Sequence, residues 1–281
     1  MVSVSWLADQ LASSSAPGEL VIVDCRWYLD GRDARGVFAE GHLPGARFVD
    51  LDRDLAGGVA SDGAGGRHPL PTIDRFTETL SCLGVRRDST VVAYDDRAGA
   101  IAARLWWLLR YVGLSGGRVL DGGIDAWVAS GGELERGAPP PANRAEPLLL
   151  EPRPGMTVSA AEIATRPIAT VLLDARAPER FRGDSEPVDP VAGHIPGARN
   201  VPWSGNVEQG RLASDDRLRM RYAGAFEAED VVVYCGSGVT ACHDLLALSV
   251  LGRDDAKLYA GSWSDWCSDC LLYTSPSPRD S

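Results

Sequence analysis

The chain has 281 residues, of which 44% are hydrophobic and 24% charged, and its formal net charge is −11 at pH 7. These proportions are ordinary for a globular protein and exclude a collagen, a coiled coil or a wholly disordered chain. The acidic charge disfavours nucleic acid and anionic membranes as partners, and no apolar run approaches the ~20 residues that span a bilayer. At about 150 residues per domain, the length predicts two domains.

The first fifteen residues lack the basic start and the continuous apolar stretch of a secretory signal. Six cysteines are too few for a disulfide scaffold in a chain of this length. We therefore expect a cytoplasmic protein with reduced thiols.

Short apolar runs alternate with helical patterns along the chain. Because these runs are apolar throughout, they are typical of strands buried on both faces of a parallel sheet. The helical patterns include residues 100–112 and 240–251. The alternation predicts an α/β fold. The predicted strands are Leu20–Val23, Val91–Tyr94, Val171–Asp174 and Val231–Tyr234.

Three segments of the first half recur in the same order in the second half. Residues 21–51 correspond to 171–203, residues 91–113 to 231–252, and residues 120–127 to 259–266. Both copies of the first segment contain Gly-His-(Leu/Ile)-Pro-Gly-Ala. Since chance similarity would not keep the order, we predict a duplicated domain.

The domain boundaries are predicted from composition. Residues 1–137 form the first domain and residues 157–268 the second, joined by a Pro-rich linker at residues 138–156. Residues 270–281 have no counterpart in the repeat and no periodicity, so we interpret them as a non-native tail.

The segment VVVYCGSGVTACHDLL (231–246) carries the strongest chemical signal. Cys235 follows a buried strand, where open α/β sheets place their sites, and the loop Gly236, Ser237, Gly238, Val239 and Thr240 leads into a helix. Loop N–H groups and a helix N-terminus can hold a thiolate, which is the nucleophilic form. The alternative is a small cysteine buried in a tight turn.

The other cysteines have less distinctive surroundings. Cys25, Cys82 and Cys242 lie among apolar residues and are expected in the core. Cys267 and Cys270 form a C-x-x-C pair, but no second pair or histidine stands near them, so a metal site is not expected.

The loop CGSGVTA (235–241), the repeated His-Pro-Gly-Ala turns and the D-G-G and G-S-W endings resemble the two-domain rhodanese family of sulfurtransferases. The loop is similar to that of the 3-mercaptopyruvate branch, and the resemblance covers about residues 1–268. It implies tandem duplicated rhodanese-like domains, each a parallel sheet flanked by helices. The second domain would be catalytic.

Alignment of the repeats places Asp95 opposite Cys235. A carboxylate cannot carry sulfur, so we predict that the first domain is inactive. A Cys-based phosphatase is disfavoured, because such enzymes need an arginine six positions after the cysteine and Ala241 stands there.

The resemblance also implies a donor-binding arginine in a Gly-Arg-aromatic element, which falls on Arg180. A guanidinium can bind a carboxylate through two hydrogen bonds, although Arg180 could instead form a surface pair with Glu179 or Asp184. Members of the mercaptopyruvate branch often carry a second arginine in an E-P-E-P-R stretch. Residues 186–190 read EPVDP, so that arginine is missing and both donors stay open.

Several polar residues have two interpretations. His42 heads the first His-Leu-Pro turn, where it either makes a structural hydrogen bond or, with Asp33, contributes to proton handling at an interface. Ser237 and Thr240 could bind substrate or cap the following helix.

The expected function is transfer of a sulfane sulfur from a small anionic donor, 3-mercaptopyruvate or thiosulfate, through a Cys235 persulfide to a thiol or cyanide. A thioredoxin-like protein is a candidate acceptor. No metal or organic cofactor is implied. The alternative is a non-catalytic sulfur-carrier or partner-binding rhodanese module.

Overall fold

The computed structural model describes residues 1–13, 19–138 and 144–268. The chain forms two compact units. The first comprises Met1–Gly57, Pro71–Arg153 and Gln209–Leu212. The second comprises Gly58–Leu70, Pro154–Glu208 and the chain from Ala213 on. No helix among the described residues is long and apolar enough to cross a membrane.

The first unit contains a four-stranded sheet with helices packed on it. Its strands are β1 (Leu20–Asp24), β2 (Arg47–Phe48), β3 (Thr90–Tyr94) and β4 (Gly117–Val119). Its helices are α1 (Val4–Ala12), α2 (Ala34–Glu40), α3 (Leu51–Asp54), α4 (Ile73–Cys82), α5 (Ala102–Tyr111) and α6 (Gly123–Ala129). The strands are parallel and lie in the order β2-β1-β3-β4.

The second unit repeats this plan. Its main strands are β5 (Val171–Asp174), β6 (Arg199–Asn200), β9 (Val231–Tyr234) and β10 (Lys257–Leu258), parallel in the order β6-β5-β9-β10. Its helices are α7 (Ala160–Ala164), α8 (Pro178–Arg182), α9 (Asp215–Arg221), α10 (Ala223–Phe226), α11 (Ala241–Val250) and α12 (Ser262–Trp266). The remaining elements are a 3₁₀ turn (Trp203–Asn206), β7 (Val207–Glu208) and, grouped with the first unit, β8 (Arg211–Leu212).

Central strands β1, β3, β5 and β9 consist almost wholly of buried residues, as their uninterrupted apolar runs predict. The predicted strands and the two predicted helices are all present, and the identical strand order in both units confirms the duplication read from the sequence. The predicted boundary at residues 138–156 stays a prediction. The proposed tail, residues 270–281, lies outside the described residues.

A buried Asp–Arg pair closes the turn after the first strand of each unit. Arg26 donates to both carboxylate oxygens of Asp24, and Arg176 does the same with Asp174. Each arginine also donates to the carbonyl of the glycine before the His-(Leu/Ile)-Pro turn, at 2.8 and 2.7 Å. Because buried charges are costly unless paired, these contacts fix the turn to the strand end.

One expectation about the core is wrong. Cys82 is exposed, because it is the last residue of α4 and lies on the side of the helix away from the buried Phe76 and Leu80. Cys25 and Cys242 are buried as expected.

The loop between β3 and α5 is organised around Asp95, which is completely buried. Its Oδ1 accepts hydrogen bonds from the N–H groups of Arg97 and Gly99, both at 2.8 Å. Its Oδ2 accepts from Ile101 and Ala102, at 2.8 and 2.9 Å. The loop is therefore an anion cradle that the chain fills with its own carboxylate.

We predict that Asp95→Ala lowers the free energy of unfolding by roughly 2–4 kcal/mol, since removing a partner from buried N–H groups costs about 1–3 kcal/mol for each donor left unsatisfied and water can reach some of them. Urea unfolding followed by tryptophan fluorescence measures this change. Asp88→Ala removes an exposed carboxylate from the same unit and should stay within about 0.5 kcal/mol of wild type. Equal stabilities for the two variants would contradict a structural role for Asp95.

Candidate active site

Cys235 is the first residue after β9, and its residue surface is only 2% exposed. The start of α12 holds it by three hydrogen bonds. The Cys235 N–H donates to Ser262 Oγ (3.1 Å), the Cys235 carbonyl accepts from Trp263 N–H (2.9 Å), and the Gly236 carbonyl accepts from Ser264 N–H (2.9 Å). The backbone that carries the thiol is therefore fixed before any substrate arrives.

The loop needs glycine at position 238. Gly238 has φ = +75°, a conformation that side chains other than glycine adopt at a cost. A Cβ on Gly238 would also collide with the carbonyl oxygen of Ala260. The loop can approach the β10–α12 connection this closely only because no side chain intervenes.

Residues 58–70 belong to the second unit, although they lie in the first half of the sequence. Gly65 N–H donates to Asp265 Oδ1 (2.8 Å), and Arg67 N–H donates to Ser264 Oγ (3.1 Å). Both acceptors are on α12, so the helix that holds Cys235 also holds this segment beside it.

This segment places a histidine on the loop. His68 is buried, and its Nδ1 lies 2.7 Å from Ser237 Oγ. Hydroxyl and imidazole together can exchange a proton, and Ser237 is two residues from Cys235 in the same loop. The Ser237 hydroxyl therefore has a partner in His68, and its contact with substrate stays a prediction. The Thr240 side chain makes no capping hydrogen bond to α11.

Two guanidinium groups border Gly236. The position of a Cβ on Gly236 lies 3.1 Å from Arg67 Nη2 and 3.4 Å from Arg180 Nη1. Burial lowers the pKa of the Arg67 guanidinium from its ordinary value, and the nearby positive charge of Arg180 lowers it further. Guanidinium nitrogens of both arginines therefore lie beside the residue that follows Cys235, so an anion held by them would lie next to the Cys235 loop.

The same arginines are paired with two buried carboxylates. Arg180 donates through Nε and Nη2 to Glu186, at 2.6–3.1 Å, and through Nη2 to Asp189 Oδ2 at 3.0 Å. Arg67 donates through Nη1 to Asp189 Oδ1. The carboxylates thus use Arg67 Nη1 and Arg180 Nε and Nη2, and among the described residues no carboxylate contact is seen at Arg67 Nη2 and Arg180 Nη1, the nitrogens nearest the Cβ position of Gly236. The ion-pair partners of Arg180 are therefore Glu186 and Asp189, and the predicted pairing with Glu179 or Asp184 is not the one observed.

The structure brings together most of the predicted site. Cys235, Gly236, Ser237, Gly238, Val239 and Thr240 form one loop, and Arg180 reaches it from α8. His42 and Asp33 lie in the first unit. His42 is stacked on Phe38 and its Nδ1 is 2.9 Å from the Phe38 carbonyl, while Asp33 caps α2. Their contribution to an interface stays a prediction.

Sequence reasoning missed Arg67, His68 and Asp189. The segment GAGGRHP (63–69) has no counterpart in the second half, and that asymmetry was the signal available. Among residues 1–13, 19–138 and 144–268, no group of three or more His, Cys, Asp or Glu side chains could hold a metal ion.

At the carboxyl end of a parallel sheet, the structure thus places a cysteine with two guanidinium groups beside the following residue. The chain belongs to the rhodanese family: the sequence profile described as "Rhodanese-like domain" matches residues 3–130 and again residues 159–269.

Its relatives carry two kinds of name. A Pseudomonas aeruginosa protein provisionally named a 3-mercaptopyruvate sulfurtransferase is 43% identical over 270 residues, covering 93% of this chain and 94% of its own. A Mycobacterium tuberculosis protein provisionally named a thiosulfate sulfurtransferase, SseB, is also 43% identical over 270 residues, covering 93% of both chains. The crystal structure of SseA from Escherichia coli, a 3-mercaptopyruvate enzyme by its description, superposes with a TM-score of 0.81 at 31% identity, covering 94% of this chain and 98% of that one.

We predict that Gly238→Ala slows alkylation of Cys235 by iodoacetamide at least tenfold, because the new Cβ displaces the loop from Ala260. The matched control is Gly252→Ala. Gly252 has φ = +90° but nothing within 4 Å of its Cβ position, so its substitution costs only the backbone strain of about 1–2 kcal/mol. If the two variants are alkylated at equal rates, the contact with Ala260 does not set the loop geometry.

Proposed function

We propose that this chain is a sulfurtransferase in which Cys235 accepts a sulfane sulfur from a small anionic donor and passes it on as a persulfide. The observation that carries this proposal is the placement of Cys235 in a loop whose next residue faces the N–H edges of Arg67 and Arg180. A thiol nucleophile and an anion site one residue apart are what the reaction needs.

Both donors fit one reaction scheme. The Cys235 thiolate attacks the outer sulfur of thiosulfate, the S–S bond of the donor breaks, and sulfite leaves with the bonding electron pair. With 3-mercaptopyruvate the C–S bond breaks, and the leaving carbanion is stabilised as the enolate of pyruvate. The thiol proton of that donor must then reach carbon, and the His68–Ser237 pair beside the loop can carry it.

The sulfur leaves in a second half-reaction. A thiolate or cyanide attacks the outer sulfur of the persulfide, and the Cys235 thiolate is released. A thioredoxin-like protein would supply such a thiol. The reaction needs Cys235 as a thiol, which a reducing compartment maintains, and we place the protein in the cytoplasm on that ground.

Cys235→Ser should abolish sulfur transfer and leave the thermal unfolding midpoint within a few degrees of wild type, because the change conserves shape. Mass spectrometry after donor treatment should show one added sulfur atom on the peptide that contains Cys235. Cys242→Ser removes a buried thiol from the helix that follows and should keep turnover.

The second candidate, a sulfur carrier that does not turn over, predicts a persulfide on Cys235 without release to cyanide. A persulfide found on Cys25, Cys82 or Cys242 instead would overturn the assignment of the nucleophile.

Arg180→Ala and Arg67→Ala should each lower kcat/KM roughly 10–150-fold, because a hydrogen bond to a charged group is worth about 1.5–3 kcal/mol. Arg182→Ala is the matched control, since Arg182 lies in the same helix, is exposed and pairs with Asp184. Arg180→Lys should recover only part of the loss, because an ammonium lacks the planar fork. Losses below about twofold would assign the arginines to structure alone.

A further inference from the structure

The pairing of Arg67 and Arg180 with carboxylates has a consequence for donor choice. Glu186 and Asp189 have side chains only 3% exposed, whereas those of Arg180 and Arg67 are 19% and 33% exposed. With Arg176, which pairs with both Asp174 and Glu186, the connected charges are three positive and three negative, so the cluster beside Gly236 is neutral. An anion that approaches Arg67 Nη2 and Arg180 Nη1 therefore meets hydrogen-bond donors but no excess positive charge.

Glu186 organises the segment that carries Asp189. Its carboxylate accepts from Arg176 Nη1 (3.3 Å), and from the N–H groups of Val188 and Asp189 (3.2 and 3.1 Å), besides its bonds to Arg180. These bonds close a tight turn in which the Asp189 carboxylate contacts both Arg67 and Arg180. Asp189 accepts hydrogen bonds from both Arg67 and Arg180, so its charge acts on both at contact distance.

We propose that Asp189 is a specificity-determining residue that restrains the binding of dianionic sulfur donors and so favours donors with a single charge. This inference rests on the proposed function. A carboxylate repels a bound anion in proportion to the charge of that anion. Thiosulfate carries two negative charges and 3-mercaptopyruvate, with its thiol protonated, carries one. The penalty from Asp189 is therefore about twice as large for thiosulfate.

A ratio of donors isolates this effect. A disturbance of loop packing changes the use of both donors alike, and a displaced arginine lowers the use of the dianion more, whereas loss of the Asp189 charge raises the use of the dianion more, so the sign of the change distinguishes them. Asp189→Asn removes the charge and nearly conserves the shape. The thiosulfate-to-mercaptopyruvate ratio of kcat/KM, measured at pH 7 with cyanide as the acceptor, should rise about tenfold, or about 1.4 kcal/mol.

Three further variants make the result specific. Asp184→Asn also removes one negative charge from this segment. Because Asp184 is exposed and pairs with Arg182, the thiosulfate-to-mercaptopyruvate ratio of this variant should stay within twofold of wild type. Asp189→Glu keeps the charge and should also keep the ratio. Asp189→Ser is a second uncharged variant, which decides the question should Asp189→Asn not fold.

A second measurement needs no sulfur transfer. Sulfate and acetate serve as unreactive dianion and monoanion, and each is titrated for its ability to slow alkylation of Cys235 by iodoacetamide. In Asp189→Asn, the half-protecting concentration of sulfate should fall about tenfold more than that of acetate. The Asp184→Asn control should show no such difference.

The outcomes separate the two proposals. Wild type that forms no persulfide and does not turn over contradicts the proposed function, and the protection experiment then tests Asp189 by itself. Normal turnover with donor and protection ratios that change less than twofold in Asp189→Asn overturns the role of Asp189 alone. Equal losses for both donors would likewise overturn it, since they indicate a packing role.

Discussion

The rest of the site depends on one backbone contact, the hydrogen bond from the Trp263 N–H to the carbonyl of Cys235. It ties the loop after β9 to the first turn of α12. The first unit contains the same contact, from the Ile124 N–H to the carbonyl of Asp95 at 3.0 Å. Because the contact is also present in the unit whose loop has Asp95 in place of a cysteine, it belongs to the architecture of both units and not to the thiol.

That contact requires an unusual backbone just before it. Gly123 in the first unit and Ser262 in the second both have φ = +56°. The serine accepts the strain of a left-handed conformation and compensates through its hydroxyl, which donates to the Tyr259 carbonyl (2.9 Å) and accepts from the Cys235 N–H. Ser262 therefore adopts the conformation that glycine adopts in the first unit, and its hydroxyl adds a hydrogen bond to the backbone of Cys235.

Asp95 and Cys235 occupy corresponding positions in the loops that follow β3 and β9. In the first unit, four N–H groups converge on a carboxylate, which stabilises the loop permanently. In the second unit a cysteine stands at the corresponding place, and its loop is hydrogen-bonded to α12: the Cys235 N–H donates to Ser262 Oγ, and the Gly236 carbonyl accepts from the Ser264 N–H. The first loop is therefore filled by its own carboxylate, whereas the second carries a thiol at that position.

The sequence was sufficient for the sheets and for the loop because both are encoded locally. Apolar runs predict buried strands such as β9, and Gly-x-Gly after a strand predicts the turn that presents Cys235. Arg67 and His68 could not be found in this way, since their partners are distant in the sequence: Arg67 contacts Ser264 of α12 across 197 residues, and His68 contacts Ser237 of the loop across 169 residues. Asp189 could not be predicted for another reason: the sequence does not distinguish a buried carboxylate from an exposed one, and only the structure shows that Asp189 is buried. In the folded chain its carboxylate pairs with both guanidinium groups beside Gly236 and so reduces the repulsion between them. Glu186 and Asp189 therefore help to place the two arginines and, by the same contacts, lower the net positive charge beside Gly236.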